Sequence, residues 1–238
     1  MGALVNSLSI IVGGLIGLFG AKRFDEKVQD SLNKTCGISV LFIGIAGAME
    51  GMLSINDNIL SSGKSLLIVL CLALGTIIGE IINIEIAFND FGIWLKNKTG
   101  NTSDNKFVDA FVTASLTVSI GAMAIVGAIQ DGILNDHSTL FVKAVLDFII
   151  ILIMASSLGK GTIFSAIPVF VFEELITLLA KLISPFMTNL AVSYISLIGS
   201  ILIFCIGINL IGGKKISVAN MLPSIFLALL AAYLPFNF

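Results

Sequence analysis

Long apolar segments constrain the fold of this chain more than any other feature of its sequence. A helix needs about 20 predominantly apolar residues to cross the roughly 30 Å hydrocarbon core of a bilayer. Eight segments meet this requirement, namely residues 3–20, 35–54, 65–87, 107–130, 140–158, 162–183, 191–211 and 218–236. The sequence therefore predicts an all-α integral membrane protein with about eight transmembrane helices, which form a single polytopic domain over residues 1–238.

Composition excludes most other classes of protein. Hydrophobic residues make up 57% and charged residues 12% of the chain, whereas a soluble domain carries about 25% charged residues. The 13 basic and 15 acidic residues leave a net charge of -2, without a basic stripe to neutralise nucleic-acid phosphates. The three cysteines lie far apart, without metal-ligand spacing. We therefore expect a lipid bilayer as the main partner, and neither a metal, a cofactor nor a nucleic acid.

The basic residues are distributed unevenly over the loops between the eight segments. Alternate loops, counted together with the adjoining ends of the segments, carry ten Lys and Arg on one side and three on the other (Lys64, Lys143 and Lys181), and both termini carry none. Because cytoplasmic loops are enriched in Lys and Arg, the side with ten is predicted to face the cytoplasm. Both termini are then predicted to lie outside.

One of the cytoplasmic loops has an amphipathic pattern. Phe88, Phe91, Trp94 and Leu95 fall on one helical face, and two lysines follow them. Aromatic anchors next to basic residues are typical of a helix that lies in the membrane surface. We therefore predict an interfacial helix over residues 88–98.

Glycines recur at helical spacing within the apolar segments. Two small residues four positions apart allow two helix backbones to approach closely in lipid. The glycines predicted to act in helix packing are Gly13, Gly17, Gly47, Gly51, Gly75, Gly79, Gly121 and Gly127.

Some of these glycines belong to weak internal repeats. Residues 47–53 (GAMEGML) resemble residues 127–134 (GAIQDGIL), and residues 17–23 resemble residues 209–215. Duplicated helical units are common in transporters, which place their site at the repeat interface. The related segments are an even number of crossings apart, so the repeats are predicted to be parallel.

Two adjacent carboxylates lie in the middle of the sixth segment. An ionisable residue at the centre of a spanning helix costs about 2.5 to 3.5 kcal/mol on insertion scales, so it usually faces a cavity or a partner. Glu173 and Glu174 point about 100° apart, so we expect one of them to face a given cavity. Pro168, five residues earlier, is predicted to kink the helix. The alternative is a protonated or hydrogen-bonded glutamate that ties helices together.

A second set of polar groups is predicted at the outer part of the protein. Lys143 and Asp147 lie one helical turn apart in the fifth segment, and Glu50, Gln130 and Asp131 lie at the outer ends of other segments. Together they are predicted to form an acidic, glycine-lined vestibule that binds an ion or substrate. The alternative for Lys143 and Asp147 is an ordinary interfacial salt bridge.

Recognisable enzyme motifs are absent from the sequence. Residues 62–65 (SGKS) resemble the end of a phosphate-binding loop, but Asn58 replaces the upstream glycine that such a loop requires. The chain has neither an HExxH zinc motif nor a serine nucleophile elbow. We therefore do not expect an enzyme.

Several sequence blocks resemble an uncharacterised prokaryotic membrane-protein family. They are residues 121–127 (GAMAIVG) with Asp131, then Lys143 with Asp147, then residues 159–161 (GKG) and residues 218–223 (VANMLP). They are similar to the YqgA/YdfK-like family, which is classed as a domain of unknown function. The resemblance implies a multi-pass protein of the bacterial plasma membrane and brings no established activity, substrate or cofactor.

The chain departs from the family pattern at two places. It has Phe148 where the family favours glycine, and Glu173 and Glu174 near a place where the family favours an amide. These departures favour Asp131, Lys143 and Asp147 over the two glutamates as residues of a family-wide site.

Two functions are consistent with these observations. The first is a small secondary transporter or channel whose intramembrane carboxylates bind a cation, a proton or a cationic solute. The second is a non-transporting membrane scaffold or partner protein, whose glycine faces associate with other helices and whose carboxylates are satisfied internally. Both leave open a homo-oligomer.

Overall fold

The protein is described here by a computed structural model that covers residues 1–21, 26–56, 59–119, 122–212 and 216–235. Ten α-helices lie in this part of the chain. They are α1 (Gly2–Ala21), α2 (Glu26–Met52), α3 (Ser65–Ile82), α4 (Ile84–Lys98), α5 (Phe107–Ser119), α6 (Ala122–Leu134), α7 (Ser138–Leu158), α8 (Ala166–Ile183), α9 (Asn189–Gly212) and α10 (Pro223–Ala231). The predicted all-α class is confirmed.

Short elements complete the described chain. Three 3-10 helices cover Lys160–Ser165, Ser184–Phe186 and Val218–Met221. Strands β1 (Leu53–Asn56) and β2 (Ile59–Ser62) form an antiparallel hairpin after α2, in which the hydroxyls of Ser54 and Ser61 lie 2.9 Å apart. This hairpin was not predicted from the sequence.

Six helical segments in the described residues are long and apolar enough to cross a membrane. They are Gly2–Gly20, Asp30–Met52, Ser65–Ile82, Ser138–Leu158, Lys160–Leu182 and Asn189–Gly212. Helices α5 and α6 together make a seventh candidate that is bent by 71°, and a shorter apolar stretch covers Val218–Ala231. All eight predicted segments therefore fall on helices, and the count of eight is compatible with the fold.

The eighth segment is broken for a reason that is visible in its sequence. Pro223 has no N–H to donate to a carbonyl of the preceding turn, although Leu222 keeps right-handed helical dihedral angles. The α-helix therefore begins at Pro223, a favourable first position, and the residues before it form the 3-10 helix Val218–Met221.

Pro168 has a similar role and does not kink the middle of a span. It is the third residue of α8, directly after the 3-10 helix Lys160–Ser165. A proline near a helix start loses little, because the first N–H groups have no intrahelical acceptor. Pro168 therefore lies where the helix type changes.

Helices α1 and α7 pack along their whole length and run parallel. Gly2 lies against Leu140 at one end of the pair, and Gly17 lies against Leu152 at the other. A Cβ at Gly13 would lie 2.6 Å from the carbonyl oxygen of Phe148, so only glycine permits this approach.

Helices α2 and α9 form the second extensive pair and run antiparallel. Gly44 lies against Phe204, Gly47 against Ser200, and Gly51 against Leu197. These directions agree with a chain that crosses the membrane alternately eight times, since α2 would be its second and α9 its seventh crossing.

Helix α3 packs antiparallel against the last segment. Gly75 lies against Ser224, and a Cβ at Gly79 would overlap the carbonyl oxygen of Asn220. Asn220 also accepts a hydrogen bond from the backbone N–H of Glu85, at 2.7 Å, through its side-chain oxygen. The 3-10 helix Val218–Met221 therefore fixes both the end of α3 and the start of α4.

Helix α4 covers the segment predicted to be interfacial. Asn83, in the left-handed conformation, separates it from α3. The rings of Phe91 and Trp94 stack with their centroids 5.7 Å apart, and Trp94 is 55% exposed. Its placement in the membrane surface stays a prediction.

Candidate functional site

Four polar side chains from three helices meet inside the bundle. They are Asn6 of α1, Lys143 and Asp147 of α7, and Glu173 of α8. Their exposed fractions are 0%, 6%, 4% and 0% respectively. We call these four residues the buried charge cluster.

Lys143 lies at the centre of the buried charge cluster. Its ammonium group is paired directly with Asp147, which follows one helical turn later on the same face. The same group lies 3.5 Å from Glu173 Oε1. The pair predicted from spacing therefore exists, but it is buried and shared with a third residue, unlike an exposed interfacial salt bridge.

Asn6 connects the two carboxylates of the cluster. Its Nδ2 donates to Asp147 Oδ2 at 3.0 Å and to Glu173 Oε1 at 2.8 Å. The sequence analysis missed Asn6 as a site residue. The available signal was an amide within an apolar spanning segment, since polar side chains there usually face a partner.

The cluster also contacts the break between α5 and α6. The Lys143 ammonium donates to the carbonyl oxygen of Val118 at 2.7 Å, and α5 ends one residue later. The last four carbonyls of an α-helix lack intrahelical partners, and this end of the helix dipole favours a cation. A broken helix whose end coordinates a charged group near mid-membrane is a recurrent feature of secondary transporters.

The charges of the cluster do not cancel when all three groups are ionised, because one ammonium faces two carboxylates. Two acceptors of the cluster, Asn6 Oδ1 and Glu173 Oε2, have no hydrogen-bond partner among the described residues. Buried acceptors usually find a donor, because an unpaired one loses its hydration without replacement. The ionised cluster therefore lacks one positive charge for neutrality, and its free acceptors lack at least one hydrogen-bond donor.

Glu174 points away from the cluster. It is half-buried, and it makes neither a hydrogen bond nor an ion pair with another described residue. This agrees with the expectation that one of the two adjacent glutamates faces a given site, and it identifies Glu173 as that residue.

Asp131 belongs to a separate polar group. Its Oδ2 accepts a hydrogen bond from the Gly2 N–H at 2.8 Å and lies 3.3 Å from the Met1 amino group. His137 Nδ1 lies 2.7 Å from the other oxygen of Asp131. A carboxylate at a helix N-terminus pairs with free N–H groups and with the helix dipole. Asp131 thus ties α6 to the start of α1.

Two further polar contacts lie near that group. Gln130 Oε1 accepts a hydrogen bond from the Thr139 hydroxyl at 2.6 Å. In the loop before α7, the Ser138 backbone N–H donates to Asp136 at 2.9 Å and lowers the pKa of that carboxyl.

The predicted acidic vestibule is not assembled as one site. Asp147 lies in the buried charge cluster, Asp131 holds the start of α1, and Gln130 bonds to Thr139. Glu50 is exposed on α2, which packs mainly against α9. These groups share one end of the protein along the chain, but helix packing distributes them among different neighbours.

The helix-packing glycines lie at close helix contacts wherever they are described. Gly127 lies against Leu140. The other six described glycines, which lie against neighbouring helices, are Gly13, Gly17, Gly47, Gly51, Gly75 and Gly79. Gly121 lies outside the described residues.

A cavity of about 500 Å³ lies beside α5, at the end of the helices that joins the loops with ten basic residues. Its lining includes Asp109, Thr113 and Leu116 of α5. Leu116 precedes Val118 by two residues, which is a rise of about 3 Å along a helix. The last α5 residue in the lining of this α5 cavity therefore lies about half a turn before Val118 along the helix, with its side chain directed to the opposite side of α5.

No group of three or more His, Cys, Asp and Glu side chains in the described part of the chain could hold a metal ion. The cluster itself offers only two carboxylates and an amide beside a lysine.

The fold and the buried charge cluster define a multi-pass α-helical membrane protein. The chain belongs to the DUF554 family, described as proteins of unknown function, whose family model matches residues 1–233. The resemblance noted from the sequence is thereby confirmed.

Two curated relatives cover almost the whole chain. It is 29% identical over 226 residues to the uncharacterized membrane protein YdfK of Bacillus subtilis (strain 168), covering 95% of this chain and 93% of that protein. It is 27% identical over 233 residues to the uncharacterized protein YqgA of Escherichia coli (strain K12), covering 96% and 94%. No solved structure matches the chain significantly.

Proposed function

We propose that this protein is a small secondary transporter or channel that moves a cation, a proton or a cationic solute. The observation that carries the proposal is the buried charge cluster, in which Lys143, Asp147 and Glu173 meet between three helices at a helix break. We place the protein in the bacterial plasma membrane with both termini outside.

The free-energy cost of burying the cluster supports a functional role for it. Each ionised group buried in hydrocarbon is costly, and a buried ion pair is often no more stabilising than well-packed apolar residues of similar volume. Stability alone therefore gives little reason to keep four polar groups at this position. A site that binds and releases a charge does need them.

The α5 cavity supports a path to the cluster. It lies at the predicted cytoplasmic end and extends along α5 as far as Leu116. At the opposite end, the Asp131 carboxylate is bound to the Gly2 N–H at the start of α1. This arrangement corresponds to a transporter that gives access to its site from the inner side.

The alternative is a scaffold that transports nothing, and one observation favours it. Asp147 is paired with Lys143 and accepts a hydrogen bond from Asn6, so the cluster can also serve to lock α1 against α7 and α8. An enzymatic function is not proposed, because the sequence contains no recognisable catalytic motif.

Flux measurements on purified protein in liposomes separate the two functions. Wild-type protein is compared with D147N and with the matched control E174Q, which changes the half-buried neighbour of the cluster. A transporter gives flux of at least one cation or cationic solute above that of empty liposomes, with loss in D147N and retention in E174Q. Absence of flux across protons, alkali cations and small organic cations contradicts the proposal, and a destabilised D147N without any wild-type flux supports the scaffold.

A further inference from the structure

We infer that Glu173 binds a proton at its Oε2 oxygen and that this proton is the ion that the protein moves or couples to. The inference rests on the proposed function and assigns its ion and its binding atom. It starts from the geometry of the buried charge cluster.

The buried charge cluster is not electrically neutral when its three ionisable groups are charged. Lys143 supplies one positive charge to the two carboxylates of Asp147 and Glu173, and all three side chains are almost fully buried. An uncompensated charge in a low-dielectric interior is strongly unfavourable. One additional positive charge makes the cluster neutral.

The position of the Lys143 ammonium indicates which of the two carboxylates binds the additional positive charge. The Lys143 ammonium is in direct contact with Asp147, whereas it lies 3.5 Å from Glu173 Oε1. Asp147 is therefore the better compensated of the two. Glu173 is 0% exposed, and its Oε2 has no donor among the described residues. A proton on Oε2 removes the excess charge from the carboxylate that has the weaker ion pair.

The number of available oxygen ligands in the cluster favours a proton over an alkali cation. A desolvated alkali cation needs several oxygens in place of its hydration shell. Here Asp147 Oδ2 and Glu173 Oε1 already accept hydrogen bonds from Asn6, and the Val118 carbonyl accepts one from Lys143. These oxygens are directed at N–H donors, and the two unpartnered acceptors, Asn6 Oδ1 and Glu173 Oε2, are too few to replace a hydration shell. A proton needs only the lone pair of Oε2.

Among the described residues, no other charged group is paired with Glu173. From α7 it faces Lys143 and Asp147, and from α1 it faces Asn6, while residues 2–21 of α1 contain no ionisable side chain. Helix α6 packs on α8 through Gly132, at Thr177, and its Asp131 is bound to the start of α1 and His137. From α5, the Val118 carbonyl reaches the cluster through Lys143.

Proton binding gives the cluster two states. In the proposed step, a hydronium ion or a protonated buffer molecule that reaches the cluster loses a proton by breaking one O–H or N–H bond, an O–H bond forms on Oε2, and water or the deprotonated buffer molecule is left behind. The neutral Glu173 then no longer attracts the Lys143 ammonium. Lys143 remains with Asp147 and Val118, so the link from α7 to α8 weakens while that from α7 to α5 persists.

Infrared difference spectroscopy of the protein in lipid nanodiscs tests the site independently of transport. A protonated carboxylic acid has a carbonyl stretch that a carboxylate lacks, and it shifts in heavy water. We expect one such band per chain to be lost between acid and alkaline buffer, to be absent in E173Q and to persist in E174Q. Selective ¹³C labelling of glutamate, but not of aspartate, shifts the band and thereby excludes Asp147 even if E173Q does not fold. Retention of the band in E174Q then excludes the neighbouring glutamate.

The results also separate the inference from the function on which it rests. A band that shifts with aspartate labelling, that depends on sodium instead of pH, or that is missing altogether overturns the assignment to Glu173, whatever the flux. A band with the expected behaviour but without any flux in liposomes supports the proton site and overturns the transporter. Flux that is lost in E173Q and retained in E174Q, together with the band, supports both.

Discussion

The ammonium group of Lys143 donates a hydrogen bond to the carbonyl oxygen of Val118 at 2.7 Å, next to the last residue of α5. This bond joins the bent α5–α6 segment to the ion pair of α7. Any change in the protonation or pairing of the cluster therefore acts on the helix break, and any movement of the break acts on the cluster.

Replacement of Lys143 by methionine tests the energetic role of the central cation. Without the ammonium, two buried carboxylates are uncompensated, and we expect K143M to lower the free energy of unfolding by about 3 to 5 kcal/mol. Thermal unfolding in detergent measures the effect, with K181M at the exposed end of α8 as the control. The double variant K143M/D147N should recover part of the loss, and a K143M protein as stable as K181M contradicts the geometry.

Replacement of Asn6 by leucine tests its connection of the two carboxylates. The variant N6L removes both Nδ2 donors from Asp147 and Glu173, so we expect a loss of about 1 to 3 kcal/mol in stability. N105L, in the exposed loop between α4 and α5, is the matched control. Equal melting temperatures for the two variants would show that the amide contributes nothing to the cluster.

A single methyl group tests the approach of α3 to the last segment. Because a Cβ at Gly79 overlaps the Asn220 carbonyl oxygen, G79A should destabilise the protein by about 1 to 3 kcal/mol through overpacking. G63A is the control, since nothing lies within 4 Å of a Cβ at Gly63. A stability of G79A equal to that of G63A contradicts the close contact.

Thiol labelling in intact cells tests the predicted orientation. In a background without Cys36, Cys71 and Cys205, the variant S61C should react with a membrane-impermeant reagent from outside, and N101C should react only after lysis. The reverse pattern would invert the topology and place the α5 cavity on the outer side. Lys143, which sequence analysis counts among the three outer basic residues, is in fact buried in α7, so two basic residues remain on that side.

Sequence alone predicts those features of this protein that depend on neighbours along the chain. Hydropathy locates all eight segments, since each must be apolar over its own length, and one-turn spacing identifies Lys143 and Asp147 as a pair. The partnership of Glu173 with them depends on how α8 packs on α1 and α7. A single amide such as Asn6 forms no pattern, so its role appears only when helices are assembled.

Other features were predicted incorrectly because the same local sequence pattern is compatible with more than one structure. Asp131 and Asp147 were both predicted at the outer part of the protein. Asp131 is bound to the start of α1, whereas Asp147 is paired with Lys143. Pro168 indicated a kink in the middle of a span, but it lies in the first turn of α8, just after a 3-10 helix. The internal repeat stays a prediction.

Proton influx into liposomes tests the central claim most directly. Purified protein is reconstituted with a pH-sensitive dye inside, and a potassium gradient with valinomycin sets an inside-negative potential. We predict faster acidification with wild-type protein and with E174Q than in protein-free liposomes, and a return to the protein-free rate with E173Q and D147N. Wild-type influx equal to that of protein-free liposomes, or unchanged influx in E173Q, would contradict the account of the buried charge cluster as a proton-transport site.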